Sequence, residues 1–215
     1  MNLTRMGYLI GGTYSEFPNF NLNSINTHHI LSKAWLLREV SKLKKAGRLD
    51  FEGKNVAILA SGCAAWADDL IQLFPTINKV RSFDIDPAHE QIANRINASW
   101  WKVNRKFAAS TANINELDWG GTTTYTIKDV DYQDYEEHQD NFDVIVNTGS
   151  EHMASDWAND IPSDKLVIVQ SNDYIKSSIK SSQDLADMFG ITNIMYRGGI
   201  NMLDEFDRFM VIGYR

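Results

Sequence analysis

Cysteine is nearly absent from this chain: 215 residues include one, Cys63. No disulfide can form within the chain, and zinc sites built on paired cysteines are excluded. A reducing, cytoplasmic setting is the expectation that follows. Long apolar runs are missing too, since stretches such as residues 56–60 are far too short to cross a bilayer. The opening M-N-L-T-R-M-G-Y-L-I-G-G-T has no basic start leading into a long apolar segment, so no signal peptide and no membrane association are expected. Positive charge is outnumbered, with 21 Lys and Arg against 28 Asp and Glu and a net charge of −7. Duplex nucleic acid is held largely by many Lys/Arg–phosphate contacts. The two small basic clusters, Lys42-Leu43-Lys44-Lys45 with Arg48 and Lys102 with Arg105 and Lys106, lie on helical patterns where they read as solvated faces. Nucleic acid is therefore disfavoured as a partner. No G-x-x-x-x-G-K-[ST] occurs, so a P-loop is unsupported. Repeats, low-complexity tracts and long linkers are lacking, and nothing in the sequence speaks to oligomeric state.

What is present is an ordinary globular composition, 43% hydrophobic and 23% charged, with enough length for one sizeable core. Residues 1–27, rich in Asn, Gly, Ser and Thr, read as irregular structure, a lead-in or a lid. Ile30, Leu31, Ala34, Leu37, Val40 and Leu43 recur at helical spacing over 28–46, and Gly47 stops the helix. Residues 1–52 are thus expected to form an N-terminal extension, and 53–215 a second unit. In that unit short apolar strands alternate with helices. The strands are expected at 56–60, 79–83, 122–127, 142–146 and 166–170, with helices at 64–74, 88–103 and 183–189. Continuous apolar strands of this kind belong to a parallel sheet covered on both faces. Strands at 193–197 and 209–213 have no confident helix between them, which predicts an antiparallel pair at the sheet's end.

Open parallel sheets bind ligands beyond the carboxyl ends of their strands. After the first expected strand come Ala60-Ser61-Gly62-Cys63 and a helix N-terminus with unpaired amides. After the second comes Asp84 in F-D-I-D-P, 22 residues beyond Gly62, where a carboxylate can accept both hydroxyls of a ribose. D-I-D-P would also serve simply to cap the following helix. After the third comes Asp129 in I-K-D-V-D-Y, able to accept from an adenine amino group with the Val130 amide nearby. N-T-G-S-E-H-M at 147–153 follows the fourth strand and Q-S-N-D-Y at 170–174 the fifth.

In this order the pieces resemble the class I S-adenosylmethionine-dependent methyltransferases over roughly residues 53–215. F-D-I-D-P-A-H-E-Q-I-A is similar to that family's second-strand motif, and F-D-V-I-V-N-T to its fourth. The resemblance implies a Rossmann-like, doubly wound, mostly parallel seven-stranded sheet with an antiparallel terminal strand. It implies S-adenosyl-L-methionine at Ala60, Ser61, Gly62, Cys63, Asp84, Ile85, Asp129, Val130, Asn147 and Thr148. The first motif departs from the family's: its acidic residue is Ala60 here, and its alternating glycines are Gly62, Ala64 and Trp66. Ala64 is small enough for a close backbone approach, whereas Trp66 packs in the core or walls the cofactor. A pyrophosphate needs closely packed amides that G-x-A-x-W supports poorly, so the degenerate loop suits a phosphate-free cofactor better than a dinucleotide.

Methyl transfer from a sulfonium is an in-line displacement governed by positioning and desolvation, helped by a base when the nucleophile carries a proton. Ser150, Glu151, His152 and Asn172 are the candidates for that chemistry. The same residues would equally cap a helix running toward Trp157, or form simple turns. Tyr174 follows the fifth strand, and Trp35 on the N-terminal helix is either core or a cation–π partner for the sulfonium. N-T-G-S lacks the proline and aromatic that DNA amino-methyltransferases carry at this point, which favours a small-molecule substrate. No metal is called for, although Glu151, Asp156 and Asp173 would supply carboxylates. Three functions remain open: methyl transfer, attack on or cyclisation of the aminocarboxypropyl arm with release of methylthioadenosine, and a non-catalytic binding module.

Overall fold

The computed structural model describes residues 2–18, 20–102, 105–128, 134–153, 155–173 and 178–215. Its centre is β1 (Asn55–Leu59), where the unbroken run V-A-I-L is buried on both faces. Val56 and Ile58 join the core on one side of the sheet, Ala57 and Leu59 the core on the other. This two-sided burial is why the strand reads as a continuous apolar run rather than an alternation. Parallel to it lie β2 (Lys79–Asp84) on one side and β6 (Val144–Asn147) on the other. Beyond them come β3 (Phe107–Thr111) and β7 (Leu166–Asn172), also parallel. The hairpin β8 (Asn193–Met202) and β9 (Phe206–Tyr214) completes a seven-stranded sheet of order β3-β2-β1-β6-β7-β9-β8, with β9 antiparallel to β7. Leu203 and Asp204 turn the hairpin, both with positive φ, as a tight primed turn requires. The chain's progression across the sheet reverses between β1 and β6, the topological switch point where such sheets bind ligands.

Two assignments differ from the sequence expectation. The third parallel strand is F-A-A-S-T at β3, not residues 122–127. Those residues belong to β4 (Thr123–Lys128), which pairs antiparallel with β5 (Tyr135–Asp140) in a separate two-stranded sheet. The alternating burial of β4 is the physical reason, because one face is packed and the other is wet. β3 is short and alanine-rich, so it carries little strand signal of its own. Buried Arg81 ties this hairpin to β2: its Nε donates to the Tyr125 hydroxyl at 2.8 Å, and Tyr125 in turn donates to Asp140.

The N-terminal stretch is also more ordered than its composition suggests. It holds α1 (Leu3–Glu16), despite three glycines, because Asn2 caps it and tertiary contacts secure it. Arg5 forms a two-pronged pair with buried Asp68 (2.7 and 2.9 Å), and Arg95 pairs with Glu16. Asp68 lies on α3 (Ala67–Leu73) and Arg95 on α4 (Pro87–Ile96). Met6 packs with Phe20, Cys63, Ala65, Ile92 and Ile96. α2 (Thr27–Lys45) follows the expected spacing and ends in a Schellman motif, with Arg48 N–H donating to the Leu43 carbonyl and Gly47 N–H to that of Lys44. The expected long helix over 88–103 is split by Asn97 into α4 and α5 (Ala98–Lys102). α6 (Ser182–Met188) covers the far end of the sheet. No helix among the described residues is long and apolar enough to cross a membrane.

Candidate functional site

A cavity of about 570 Å³ opens over the carboxyl ends of β1, β2, β3 and β6, where the switch point places it. Its first wall is the turn after β1. Ala60, Gly62 and Ala64 all adopt left-handed backbone, with φ of +47, +53 and +45. Glycine adopts this at no cost, whereas each alanine costs about 1–2 kcal/mol. A Cβ at Gly62 would meet nothing within 4 Å, so its requirement is conformational rather than spatial. Trp66 has ordinary right-handed backbone as the N-cap of α3, which is why a tryptophan is tolerated there. Trp66 borders the cavity and packs in the core, and its indole Nε1 is buried with no partner among the described residues.

Asp84 closes β2 and faces this turn. Its Oδ2 accepts from Gly62 N–H at 2.8 Å, and its Oδ1 from Asp86 N–H and His89 Nδ1, both at 3.0 Å. Burial opposes its charge, but the bonds from His89, Asp86 and Gly62 outweigh it and hold its pKa below the usual carboxylate value. The same contact with Asp84, against a smaller effect of burial, raises His89 above the usual histidine value. Asp86 caps α4 through Ala88 N–H, and Asp84 lines the cavity. Ile85 beside it is strongly exposed at the cavity wall.

The opposite wall follows β6. Asn147 is wholly buried; its Oδ1 accepts from Gly149 N–H at 3.0 Å and its Nδ2 contacts Met153 sulfur. Ser150 donates to the Gln170 carbonyl at 2.7 Å. These bonds fold the loop into short 3₁₀ turns at Ser150–His152 and Asp156–Ala158 instead of the expected helix. Glu151 is thereby turned into the cavity. Its Oε1 accepts from Asn172 Nδ2 at 3.0 Å and Arg208 Nη1 at 3.1 Å, while its Oε2 is buried without a partner among the described residues. Arg208 also donates to the Thr148 carbonyl, which Lys33 Nζ approaches at 3.5 Å from α2. Burial, and then the Arg208 cation, push the Lys33 ammonium well below the usual lysine value, with Glu151 and Cys63 pulling the other way. His152 stands at the rim with its side chain 78% exposed, 3.7 Å from Glu151.

Of the residues singled out from the sequence, Ala60, Ser61, Gly62, Cys63, Asp84, Ile85, Thr148, Glu151 and His152 line one cavity. Asn147, Ser150 and Asn172 do not line it; they shape or brace the loop behind Glu151. Asp129, Val130 and Tyr174 lie outside the described residues. The position after the third parallel strand is taken instead by Ala112, Asn113, Ile114 and Asn115, all in the cavity wall. Trp35 is core: it is buried, and its Nε1 donates to the Tyr196 hydroxyl at 3.2 Å. Among the described residues no cluster of three or more His, Cys, Asp or Glu side chains could hold a metal.

Sequence reasoning missed Lys33, His89 and Arg208. Arg208 had a signal: an antiparallel last strand beside β7 brings its first residues to the carboxyl end of β7, and Arg208 pairs opposite Asn172. Lys33 had none, since only the docking of α2 places it.

Solved structures similar to this chain include methyltransferases. Magnesium protoporphyrin IX methyltransferase from Synechocystis PCC 6803, with bound SAM, superposes with a TM-score of 0.57 at 15% identity, over 87% of this chain and 84% of that one. TrmK of M. capricolum, in complex with S-adenosylhomocysteine, gives 0.52 at 18% identity, over 83% and 68%. The ribosomal protein L11 methylase of Lactobacillus delbrueckii subsp. bulgaricus gives 0.50 at 14%, over 82% and 79%. This chain has the class I methyltransferase fold. No protein-family model matches the sequence, and no curated protein matches it either.

Proposed function

We propose that the protein is an S-adenosylmethionine-dependent enzyme that transfers a methyl group to a small molecule. The observation that carries this reading is the meeting of Asp84 with the Gly62 turn at the switch point. A half-buried carboxylate is held ionised beside a left-handed turn, in the place from which a ribose is gripped. The residues present fit the cofactor. The cavity is of ligand size, Ile85 offers an apolar face beside Asp84 for the adenine, and Glu151, in the wall, has a buried Oε2 without a partner among the described residues. No phosphate-binding loop is needed for a ligand without phosphate. The helices ahead of residue 53 act as its cover, contributing Met6 from α1 and Lys33 from α2 to the cavity.

Bound S-adenosylmethionine supplies an electrophilic methyl group on a sulfonium. The chain's own part is to orient that group, exclude water and accept a proton from the nucleophile. His152 at the rim is the candidate base. Glu151 is a poorer one, because its Oε1 is already engaged by Arg208 and Asn172. Asn172 and Ser150 serve by positioning the loop. An acceptor of small-molecule size suits a partly enclosed cavity and an acidic chain.

Calorimetric titration with S-adenosylmethionine and S-adenosylhomocysteine tests the reading: binding that weakens by about a hundredfold in Asp84→Ala is expected, and no binding by the wild type at millimolar ligand overturns it. Ala60, in place of the family's acid, keeps a second reading in play, in which the aminocarboxypropyl arm reacts. The nucleoside product separates the two. S-adenosylhomocysteine indicates methyl transfer, and methylthioadenosine indicates attack on the arm.

A further inference from the structure

A sulfonium nucleoside of the kind proposed above carries an amino-acid arm whose ammonium and carboxylate each need a partner once buried. Ala60, where the family places an acid, has no group to offer. Among the described residues of the cavity wall the carboxylates are Asp84 and Glu151. Asp84 is already engaged by two backbone amides and His89. Among the described residues, Glu151 is engaged through Oε1 alone, and its buried Oε2 has no partner. An acceptor left so has lost its hydration without replacement, which a ligand cation would recover.

Glu151 also lies on the correct side of the site. Gly149, two residues before it, abuts Ala60 closely enough that a Cβ built on it would stand 3.5 Å from the Ala60 methyl. Next to Glu151 is a complementary charge. Lys33 spends one of its three donors on the Thr148 carbonyl, the carbonyl that Arg208 also reaches. A carboxylate with a free oxygen and an ammonium with free donors therefore meet at one loop. That is the inverse of a zwitterionic amino acid.

The geometry points to Glu151 and Lys33 as the subsite for the amino-acid arm of S-adenosylmethionine, Glu151 taking the α-ammonium and Lys33 the α-carboxylate, in place of the acid missing at Ala60. This rests on the cofactor reading above. Arg208 and Asn172 are positioning residues, holding Glu151 by its other oxygen.

The test is calorimetry on the full chain with S-adenosylhomocysteine, its des-amino analogue, its decarboxylated analogue and methylthioadenosine. The wild type should prefer S-adenosylhomocysteine over each single-group analogue by about tenfold or more, the size of one hydrogen bond to a charged group. Glu151→Gln should erase the preference for the amino group and keep that for the carboxylate; Lys33→Met should do the reverse. Both should bind methylthioadenosine within about twofold of wild type, which reports that they are folded. Variants that discriminate as the wild type does overturn the inference, as does a wild type that binds all four ligands alike. A wild type that binds none of the four overturns the cofactor reading itself. A second measurement needs no variant. Lys33 faces Arg208, Glu151 and Cys63, and its ammonium titrates below the usual lysine value. Preference for the carboxylate should therefore fall as pH rises toward that usual value, while methylthioadenosine affinity stays level; a pH-independent preference overturns the assignment of Lys33.

Discussion

The two ends of the cavity are built in opposite ways. At the β1–β2 end, Gly62 and Asp84 stand 22 residues apart on adjacent parallel strands, and the turn and the helix cap come from the same short stretches. At the β6–β7 end, Lys33, Thr148, Glu151, Asn172 and Arg208 arrive from two helical segments, a loop and two antiparallel strands. The first end is a local motif that strand pairing alone assembles. The second exists only once the whole sheet has closed and α2 has docked. Its charges are also deeper, with the Glu151 and Arg208 side chains only 8% and 5% exposed.

That difference gives a graded set of outcomes. Arg208→Met leaves Glu151 as an uncompensated buried charge and should cost about 3–5 kcal/mol in urea unfolding. Adding Glu151→Gln to it should restore much of the loss, and no restoration would show that the pair is not what matters. Asp84→Ala should leave the sheet folded but weaken S-adenosylhomocysteine by about a hundredfold, through the loss of charged hydrogen bonds. Equal affinity would remove Asp84 from the site. Ala60→Gly should raise stability by up to about 1 kcal/mol, since relief of left-handed strain exceeds the entropy that glycine adds to the unfolded chain. A loss on thermal unfolding would show that the Ala60 methyl packs more than it strains. The smallest effect concerns pH. His89 is raised in the folded protein, so its pairing with Asp84 contributes fully below the usual value of 6.5 and is lost as pH rises through the raised one. Asp84 is lowered, so its contribution is present above 3.8 and is lost as pH falls through the depressed value. The stability gap between wild type and His89→Gln should therefore be widest between those limits and close at alkaline pH, as urea titrations across the range would record.

The same contrast explains what the sequence disclosed. β1, β6 and β7 are buried on both faces, and their apolar runs announce them. Gly62 and Asp84 were readable because local spacing carries them. F-A-A-S-T at β3 escaped because two alanines and two hydroxyl residues have little strand preference, while T-T-T-Y-T-I at β4 drew the assignment by its β-branched content. Its alternation, read as one wet face and one dry, would have placed it in a hairpin instead. α1 was hidden by its glycines, since what forms it is Asn2 at one end and Arg5 against Asp68 in the middle, a contact 63 residues away. Trp35 at helical spacing served the core, as amphipathic helices usually dictate. Glu151 was visible as a residue but not as half of a charge pair, because Arg208 meets it only across a completed sheet.

The docking of α1 has a kinetic consequence. Met6 lines the cavity, and the helix that carries it is fastened by arginines whose side chains are 40% exposed at both attachment points, Arg5 and Arg95. Half-exposed ion pairs weaken as counterions crowd in, whereas the buried contacts of the sheet do not. On the proposed function, with α1 as cover, added salt should shorten the residence time of a bound nucleoside in stopped-flow chase experiments by raising its escape rate, without changing which groups hold it.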